Sequence, residues 1–508
     1  MGSRAVPEVL CCQVSELIAE RLGLHFPPER WADLQRGLAG AAVEWGLADV
    51  VACVQWLLSA PLTKAQLQVL ASHLTVGETY FLRDKHMFDA LTERVLPELI
   101  RSKRKGDSRL RIWSAACCTG EEPYSLAILL QHLIPKSPDW QVTILATDIN
   151  GRFLQKAAAG VYGEWSFRES PVGFKERYFQ RVDDRRYSIL PEIKKRVTFA
   201  YLNLVEDVYP SLATDTNAMD VIFCRNVLMY FTLPQIRKVV RNLRRALVDG
   251  GWLVVSPSEG SQALLSGFMT VNFPGVTLYQ KSDTPVRPEQ PWPPPPCGDT
   301  AGFGAPSVHG CLPWTPPRPA ALPEEPLPAP TPAEPARPEA SPAPFDLAAT
   351  LYQEGRYAEA ADLLLASGSP HVPSDAQTLS LLTRALANQG KLAGALASCD
   401  RWVAADKLDS SGHYLRAVVL QELGDGEQAR RSLQRALYLQ ADFVLAHFAL
   451  ANLARGRGQI PQAGKHFTTA LRLLRNHQPG DLLPESDGLT AGRLTEIISS
   501  IMTMETAP

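Results

Sequence analysis

Hydrophobic positions change their spacing three times along this 508-residue chain. Residues 8 to about 72 carry apolar side chains at helical spacing, in VLCCQVSELIAERLGL and again in LADVVACVQWLLSA. Pro27–Pro28 and Pro61 divide that run, so residues 1–72 are expected to form a helical domain. Between the prolines, Arg30 and Arg36 fall on an alanine-rich helix and read as a solvated face. From 73 to 283 short apolar runs alternate with helical stretches. Strands are expected at Arg111–Ala115, Val142–Thr147, Val197–Tyr201, Asp220–Cys224, Trp252–Ser256 and Val276–Gln280. Helices are expected at Leu126–Leu133, Asn150–Ala159 and Leu233–Leu247. This alternation implies an α/β domain with a mostly parallel sheet covered by helices on both faces. Residues 161–196 interrupt it with a basic, aromatic loop and short antiparallel strands, an insertion suited to substrate docking.

The second half has a different grammar. Of 41 prolines, 21 lie between 284 and 344, a composition that cannot form a core and predicts an extended spacer over 284–343. Beyond it Gly355, Gly390, Gly424 and Gly458 recur at intervals of 35, 34 and 34 residues. Alanine follows each five positions later (Ala360, Ala395, Ala429, Ala463), and Ala436 and Ala470 follow two of those at seven. A period near 34, with a turn glycine and small residues where helices touch, resembles tetratricopeptide repeats. Residues 344–476 are thus expected to form an all-α solenoid of four helical pairs whose groove binds a peptide or protein. A tail, 477–508, is expected to hold a short amphipathic helix over Gly488–Met502.

Composition removes several function classes. The formal net charge of -2 gives no basic excess for nucleic acid. No run of 18 apolar residues suggests a membrane span, and the N-terminus, with Arg4, Glu8 and Glu16, is unlike a signal peptide. The nine cysteines lack metal-ligand spacing; Cys11–Cys12 and Cys117–Cys118 are adjacent pairs. Reduced thiols, a cytoplasmic location and no metal are expected.

Candidate chemistry collects at the carboxyl ends of the expected strands, where ligands of such sheets bind. The first strand runs into Ser114–Gly120 and a helix, with Glu121 and Glu122 in the turn. Backbone amides there face a ligand, but two carboxylates repel phosphate and favour an amine, a sulfonium or sugar hydroxyls. Asp148 ends the second strand, placed either for ribose hydroxyls or as a helix N-cap. Asn203 follows the third strand and Arg225–Asn226 the fourth. A ribose acid without a G-x-G-x-x-G cradle fits S-adenosylmethionine better than a dinucleotide.

With these residues in place the chain, over roughly 8–283, resembles the CheR-type glutamate methyltransferases of bacterial chemotaxis. The motifs are TVGETYFLRD (75–84), RIWSAACCTGEEPYSLA (111–127), ILATDIN (144–150), LNL (202–204) and IFCRNVLMYF (222–231). The resemblance implies a Rossmann-like methyltransferase domain, a receptor-docking N-terminal helical domain and a small β insertion. It implies methyl transfer from S-adenosylmethionine to glutamates in the cytoplasmic domain of a methyl-accepting chemoreceptor, with S-adenosylhomocysteine as product, and recruitment to receptor arrays. Thr79 and Arg83 would meet the cofactor, and Arg83 also the substrate carboxylate. Glu122 would hold the methionine or ribose end and Asp148 the ribose. Asn203–Leu204 and Arg225–Asn226 would frame the adenine side, and Tyr230 would line the reaction centre. Four departures stand out. Gly77 stands at an expected cofactor-binding position where the family usually has asparagine, and Ser256–Pro257–Ser258–Glu259 replaces G-H-S-E. GLAGAAVEWG follows Arg36 where the family carries arginines. VDDRRY stands where some members grip a receptor's C-terminal pentapeptide, so no such tether is expected. The competing reading is a catalytically weak or inactive methyltransferase-fold scaffold acting through its repeats.

Overall fold

The computed structural model describes residues 6–103, 108–134, 140–261, 264–282, 344–367 and 375–506. The expected spacer at 284–343 lies outside the described residues. The described parts before and after it belong to one unit.

The N-terminal helices are α1 (Glu8–Leu22), α2 (Trp31–Glu44), α3 (Val50–Leu58) and α4 (Lys64–Leu74). Their apolar faces close a core of Val14, Ile18, Leu34, Leu38, Val54, Leu57 and Leu70. Arg36 is exposed, as its alanine-rich helix suggested. Arg30 is not on that helix but in a 3-10 turn before it, with its guanidinium over the rings of Phe26 and Tyr230.

Helices α5 (Lys85–Ala90) and α6 (Leu96–Lys103) lead into the sheet. There follow β1 (Arg109–Ala115), α7 (Glu121–Leu133), β2 (Gln141–Asp148) and α8 (Gly151–Ala159). The insertion holds β3 (Val161–Gly163), α9 (Phe174–Tyr178), β4 (Phe179–Arg181), β5 (Arg186–Ile189) and α10 (Pro191–Lys194). The domain ends with β6 (Val197–Tyr201), β7 (Met219–Cys224), α11 (Leu233–Ala246), β8 (Leu247–Val254), β9 (Phe268–Phe273) and β10 (Val276–Lys281). The main sheet has the order β6-β2-β1-β7-β8-β10-β9, and β3-β5-β4 form a small antiparallel sheet. Strands β6 to β8 in that order are parallel, while β10 runs antiparallel to both neighbours. β1 lies between β2 and β7 and is buried throughout, so the strand order reverses beside it. That is the switch point at which a ligand crevice opens.

Several boundaries differ from expectation, among them the tail helix, expected over Gly488–Met502 and observed at Ala491–Thr506. α7 begins at Glu121 rather than after Pro123, because Gly120 (φ 93°) makes the turn and proline is tolerated in a first helical turn. β8 begins at Leu247, through Gly250–Gly251, with a register break opposite Met219–Val221. β9 was not expected; it is an edge strand with only Phe268 fully buried, so its apolar signal is weak.

The helical second half comprises α12 (Pro344–Gln353), α13 (Tyr357–Ser367), α14 (Ala376–Asn388), α15 (Leu392–Ala405) and α16 (Ser410–Glu422). It continues through α17 (Gly426–Leu439), α18 (Val444–Gly456), α19 (Ile460–Leu474) and α20 (Ala491–Thr506). The four repeat glycines sit between the helices of each pair at φ 72–81°, a conformation that favours glycine. The matching alanines are all 0% exposed.

The second half packs on the sheet through α20, which lies against β6 and α8, and through the C-terminal ends of α14 and α16, whose last carbonyls and following turns meet Arg109 and Gln141. Among the described residues the β6–β7 crossover holds no α-helix, only the 3-10 turn Leu212–Thr214. Such crossovers usually carry a helix that covers the sheet. Here the solenoid roofs β1, β2 and β6 instead, across a cavity of about 1010 Å³. Leu212 joins the solenoid core, Ser211 Oγ donates to Ser486 O, and Asn217 Nδ2 donates to Glu422 Oε1. Glu422 is buried with Arg109 and Arg111 at 3.6 and 3.7 Å. Burial pushes its carboxyl pKa up, against the pull of the arginines.

Candidate active site

The crevice beyond β1, β2, β6 and β7 is built on strained backbone. Ala116 (φ 63°), Cys118 (φ 51°) and Asn226 (φ 57°) are left-handed although none is glycine, and all three line the pocket. Strain of this kind persists where the surrounding structure over-determines it.

Asp148 anchors the first two strand ends to each other. Its Oδ2 accepts Cys118 N at 2.8 Å and its Oδ1 accepts Asn150 N at 2.8 Å. The N-cap of α8 is Asn150, so the alternative cap role for Asp148 is filled by its neighbour. Burial pushes the Asp148 carboxyl up to about 6, against these backbone donors. Cys118 beside it is pushed up to about 12 by burial and nearby acids, so it is no thiolate nucleophile.

The two turn glutamates part company. Glu122 faces the pocket, accepting Ser114 Oγ at 2.8 Å and pairing with Arg225 at 3.3 Å. Arg225 also reaches Asp84 at 3.2 Å and donates to Arg83 O. Its guanidinium therefore ties the 75–84 segment to the β1 turn. Glu121 turns away and is buried, accepting Thr119 Oγ1 and Ser166 Oγ. It holds the insertion, as does Phe81, whose ring packs within 4.9–5.1 Å of Tyr162, Phe167 and Phe179. Beside them the Arg168 guanidinium lies between the Tyr80 and Trp165 rings and pairs with Glu78.

Thr79, Arg83, Asn203, Leu204 and Tyr230 line the same pocket. Arg83 NH1 donates to Glu78 O at 2.7 Å, and among the described residues it pairs with no carboxylate. The Asn203 amide is spent locally, on Arg21 O, Glu206 and Val205 N, so this residue shapes the wall rather than offering its side chain. Tyr230 O accepts His25 N at 2.8 Å, and Leu22 and Leu24 add an apolar edge from the helical domain. Gly77 does not line the pocket, although Val76 and Glu78 do. A Cβ there would meet the Phe153 ring at 2.7 Å, so Phe153 occupies the space that a larger residue at 77 would need.

Sequence reasoning missed Glu259. It is buried and accepts Asn226 N (2.8 Å), Met229 N (3.3 Å) and Ser256 Oγ, fixing the turn after β7. Its signal was available, since S-P-S-E is a capping box. Arg30 and Phe153 carried no such signal.

Residues 77–272 match the family described as CheR methyltransferase, SAM binding domain. Chemotaxis protein methyltransferase 1 of Pseudomonas aeruginosa is 38% identical over 221 residues, covering 42% of this chain and 77% of that protein. The chain belongs to the CheR family of chemotaxis protein methyltransferases. A probable chemotaxis protein methyltransferase of Rhizobium etli is 36% identical over 206 residues, 40% of this chain and 75% of the relative. The probable biofilm formation methyltransferase WspC of Pseudomonas putida is 28% identical over 463 residues, spanning 91% of this chain and 98% of its own. Among solved structures, MamA aligns with 26% of the chain and 77% of its own at 18% identity and TM-score 0.25. As a CheR protein the chain uses S-adenosylmethionine as methyl donor. The donor set fits that group: a carboxylate ends β2, Glu122 faces the crevice, and no glycine cradle for phosphate is present. Among the described residues no group of three His, Cys, Asp or Glu could hold a metal, and no helix is long and apolar enough to cross a membrane.

Proposed function

We propose that this CheR protein methylates glutamate side chains in the cytoplasmic domain of a methyl-accepting chemoreceptor, giving glutamyl methyl esters and S-adenosylhomocysteine. The observation that carries the reading is the shared pocket. Acidic groups suited to the cofactor, Asp148 and Glu122, line it together with Arg83, which no carboxylate of the described chain neutralises.

When bound, S-adenosylmethionine supplies an electrophilic methyl on a sulfonium. A glutamate carboxylate is already ionised near pH 7, so the chain needs no general base. Its task is alignment and exclusion of water. Asp148 accepts the ribose hydroxyls, and Glu122 stabilises the cationic end. Thr79 and Arg83 meet the cofactor from the 75–84 segment. Asn203–Leu204 and Arg225–Asn226 wall the adenine side, Arg225 through its grip on Glu122. Arg83 steers the substrate carboxylate, and Tyr230, backed by Arg30, lines the reacting centre. Gly77 leaves room for Phe153 and makes no cofactor contact of its own. The insertion docks the receptor segment, and the solenoid recruits a protein partner that brings the cytoplasmic enzyme to receptor arrays.

The test is titration of the full chain with S-adenosylhomocysteine, followed by methyl transfer from labelled S-adenosylmethionine to a receptor cytoplasmic fragment. Base-labile label on glutamates, lost in Arg83→Ala, supports the proposal. Cofactor binding without transfer to any receptor glutamate would sink it.

A further inference from the structure

The C-terminal helix and the wall of the cofactor pocket share one chain of contacts. Arg493, on α20, has a side chain only 4% exposed, with its guanidinium 4.7 Å from the centre of the Tyr201 ring at the end of β6. Its Nε stands 2.9 Å from Glu206 Oε2, and its NH1 donates to Glu496 at 2.5 Å. Glu206 Oε1 in turn accepts from Asn203 Nδ2 at 3.1 Å, and the same amide donates to Arg21 O of α1 at 2.9 Å. Asn203 lines the pocket. Three remote parts of the chain are therefore linked: the N-terminal helices and the β6–β7 crossover meet on the Asn203 amide, and α20 joins them through Glu206.

A guanidinium buried this deeply is costly unless carboxylates hold it, and once held it fixes their positions. Glu206 keeps 36% of its side chain exposed, and the burial of the rest pushes its carboxyl pKa up while Arg493 opposes the shift. Removing Arg493 frees Glu206 to swing toward solvent, and the Asn203 amide then loses one of its two acceptors, keeping Arg21 O.

We propose that Arg493 is a positioning residue for the cofactor pocket. It holds Glu206, Glu206 holds Asn203, and the Asn203–Val205 wall takes its shape from a helix far beyond the 77–272 family match. The inference rests on the proposed placement of the cofactor against that wall. Because such coupling is reciprocal, cofactor binding must also steady α20.

The experiment uses the full chain and S-adenosylhomocysteine in calorimetry. Arg493→Met and Glu206→Gln are each expected to weaken binding about five- to tenfold, within the usual range of coupling between sites. The double variant should be no weaker than the worse single one. Arg416→Met, whose partners Asp400 and Ser432 lie inside the solenoid, should bind normally. In turnover, KM for S-adenosylmethionine should rise while kcat holds. Product should slow amide exchange across α20 in the wild type and not in Arg493→Met. If Arg493→Met is insoluble, Arg493→Lys, which keeps the charge but loses the fork, should show the same weakening. Unchanged affinity in a folded Arg493 variant would overturn the relay alone, as would equal weakening by Arg416→Met. Absence of binding by the wild type would overturn the cofactor placement and the relay with it.

Discussion

The two ends of the sheet are built from the same ingredients and put them to opposite uses. At the carboxyl end Arg225 lies between Glu122 and Asp84, whose side chains are 14% and 22% exposed. At the amino end Arg109 and Arg111 flank Glu422, whose side chain is 3% exposed. Each cluster joins segments distant in the chain. The first is left open along a crevice, where its charges can still act on a ligand. The second is sealed beneath the solenoid and holds one half of the molecule to the other. Solvent access to the carboxylates separates a site from a clamp, since the arginines are equally buried, Arg225 at 5% and Arg109 and Arg111 at 8% and 7%.

The largest effect should come from breaking the clamp. Glu422→Ala removes the carboxylate that faces two buried guanidinium groups and is expected to cost about 3–5 kcal/mol in urea unfolding of the full chain. Product affinity measured well below the denaturation midpoint should hold within about twofold, since the change sits at the far end of the sheet. Asp148→Ala should do the reverse, lowering S-adenosylhomocysteine affinity at least about 100-fold, some 2.7 kcal/mol, with a smaller loss of stability, because relief of a buried carboxylate offsets the two backbone hydrogen bonds given up. A variant that moved both quantities together would erase the distinction between the two ends.

Overpacking comes next. Gly77→Asn pushes a side chain into Phe153 and is expected to cost about 1–3 kcal/mol in thermal unfolding, with partial recovery on adding Phe153→Leu. The smallest effect is that of pH. Asp148 titrates near 6 in the folded chain, raised from the usual carboxylate range by burial. Its buried charge therefore costs stability in full above about pH 6, and the cost shrinks as pH falls below 6, vanishing near the ordinary value of 3.8. Protonation also removes the ribose acceptor, so product affinity should fall by at most about tenfold per unit below pH 6. In Asp148→Asn the affinity should be flat across the same window.

Much of the crevice was legible because its signals are local. A strand, a small-residue turn and a helix fix where the β1 end must lie, and a polar residue closing each of four apolar strands marks the rest. The tetratricopeptide period was legible for the same reason. The clamp was not. Arg109, Arg111 and Glu422 read singly as surface charges, and nothing in their spacing joins positions more than 300 residues apart. Arg30 was misjudged because a turn before α2 aims it at Tyr230, away from solvent. The place of Gly77 outside the pocket depends on Phe153, a residue on α8.

The missing helix in the β6–β7 crossover has a consequence for how the molecule comes into being. At about 5–20 residues per second, the ribosome needs roughly tens of seconds after finishing β7 to deliver α16 and then α20. Throughout that interval β1, β2 and β6 present a face whose roof has not yet been made. That face is covered only when α16, α18 and α20 arrive, so the sheet of the catalytic half takes its cover from helices made well after its own strands.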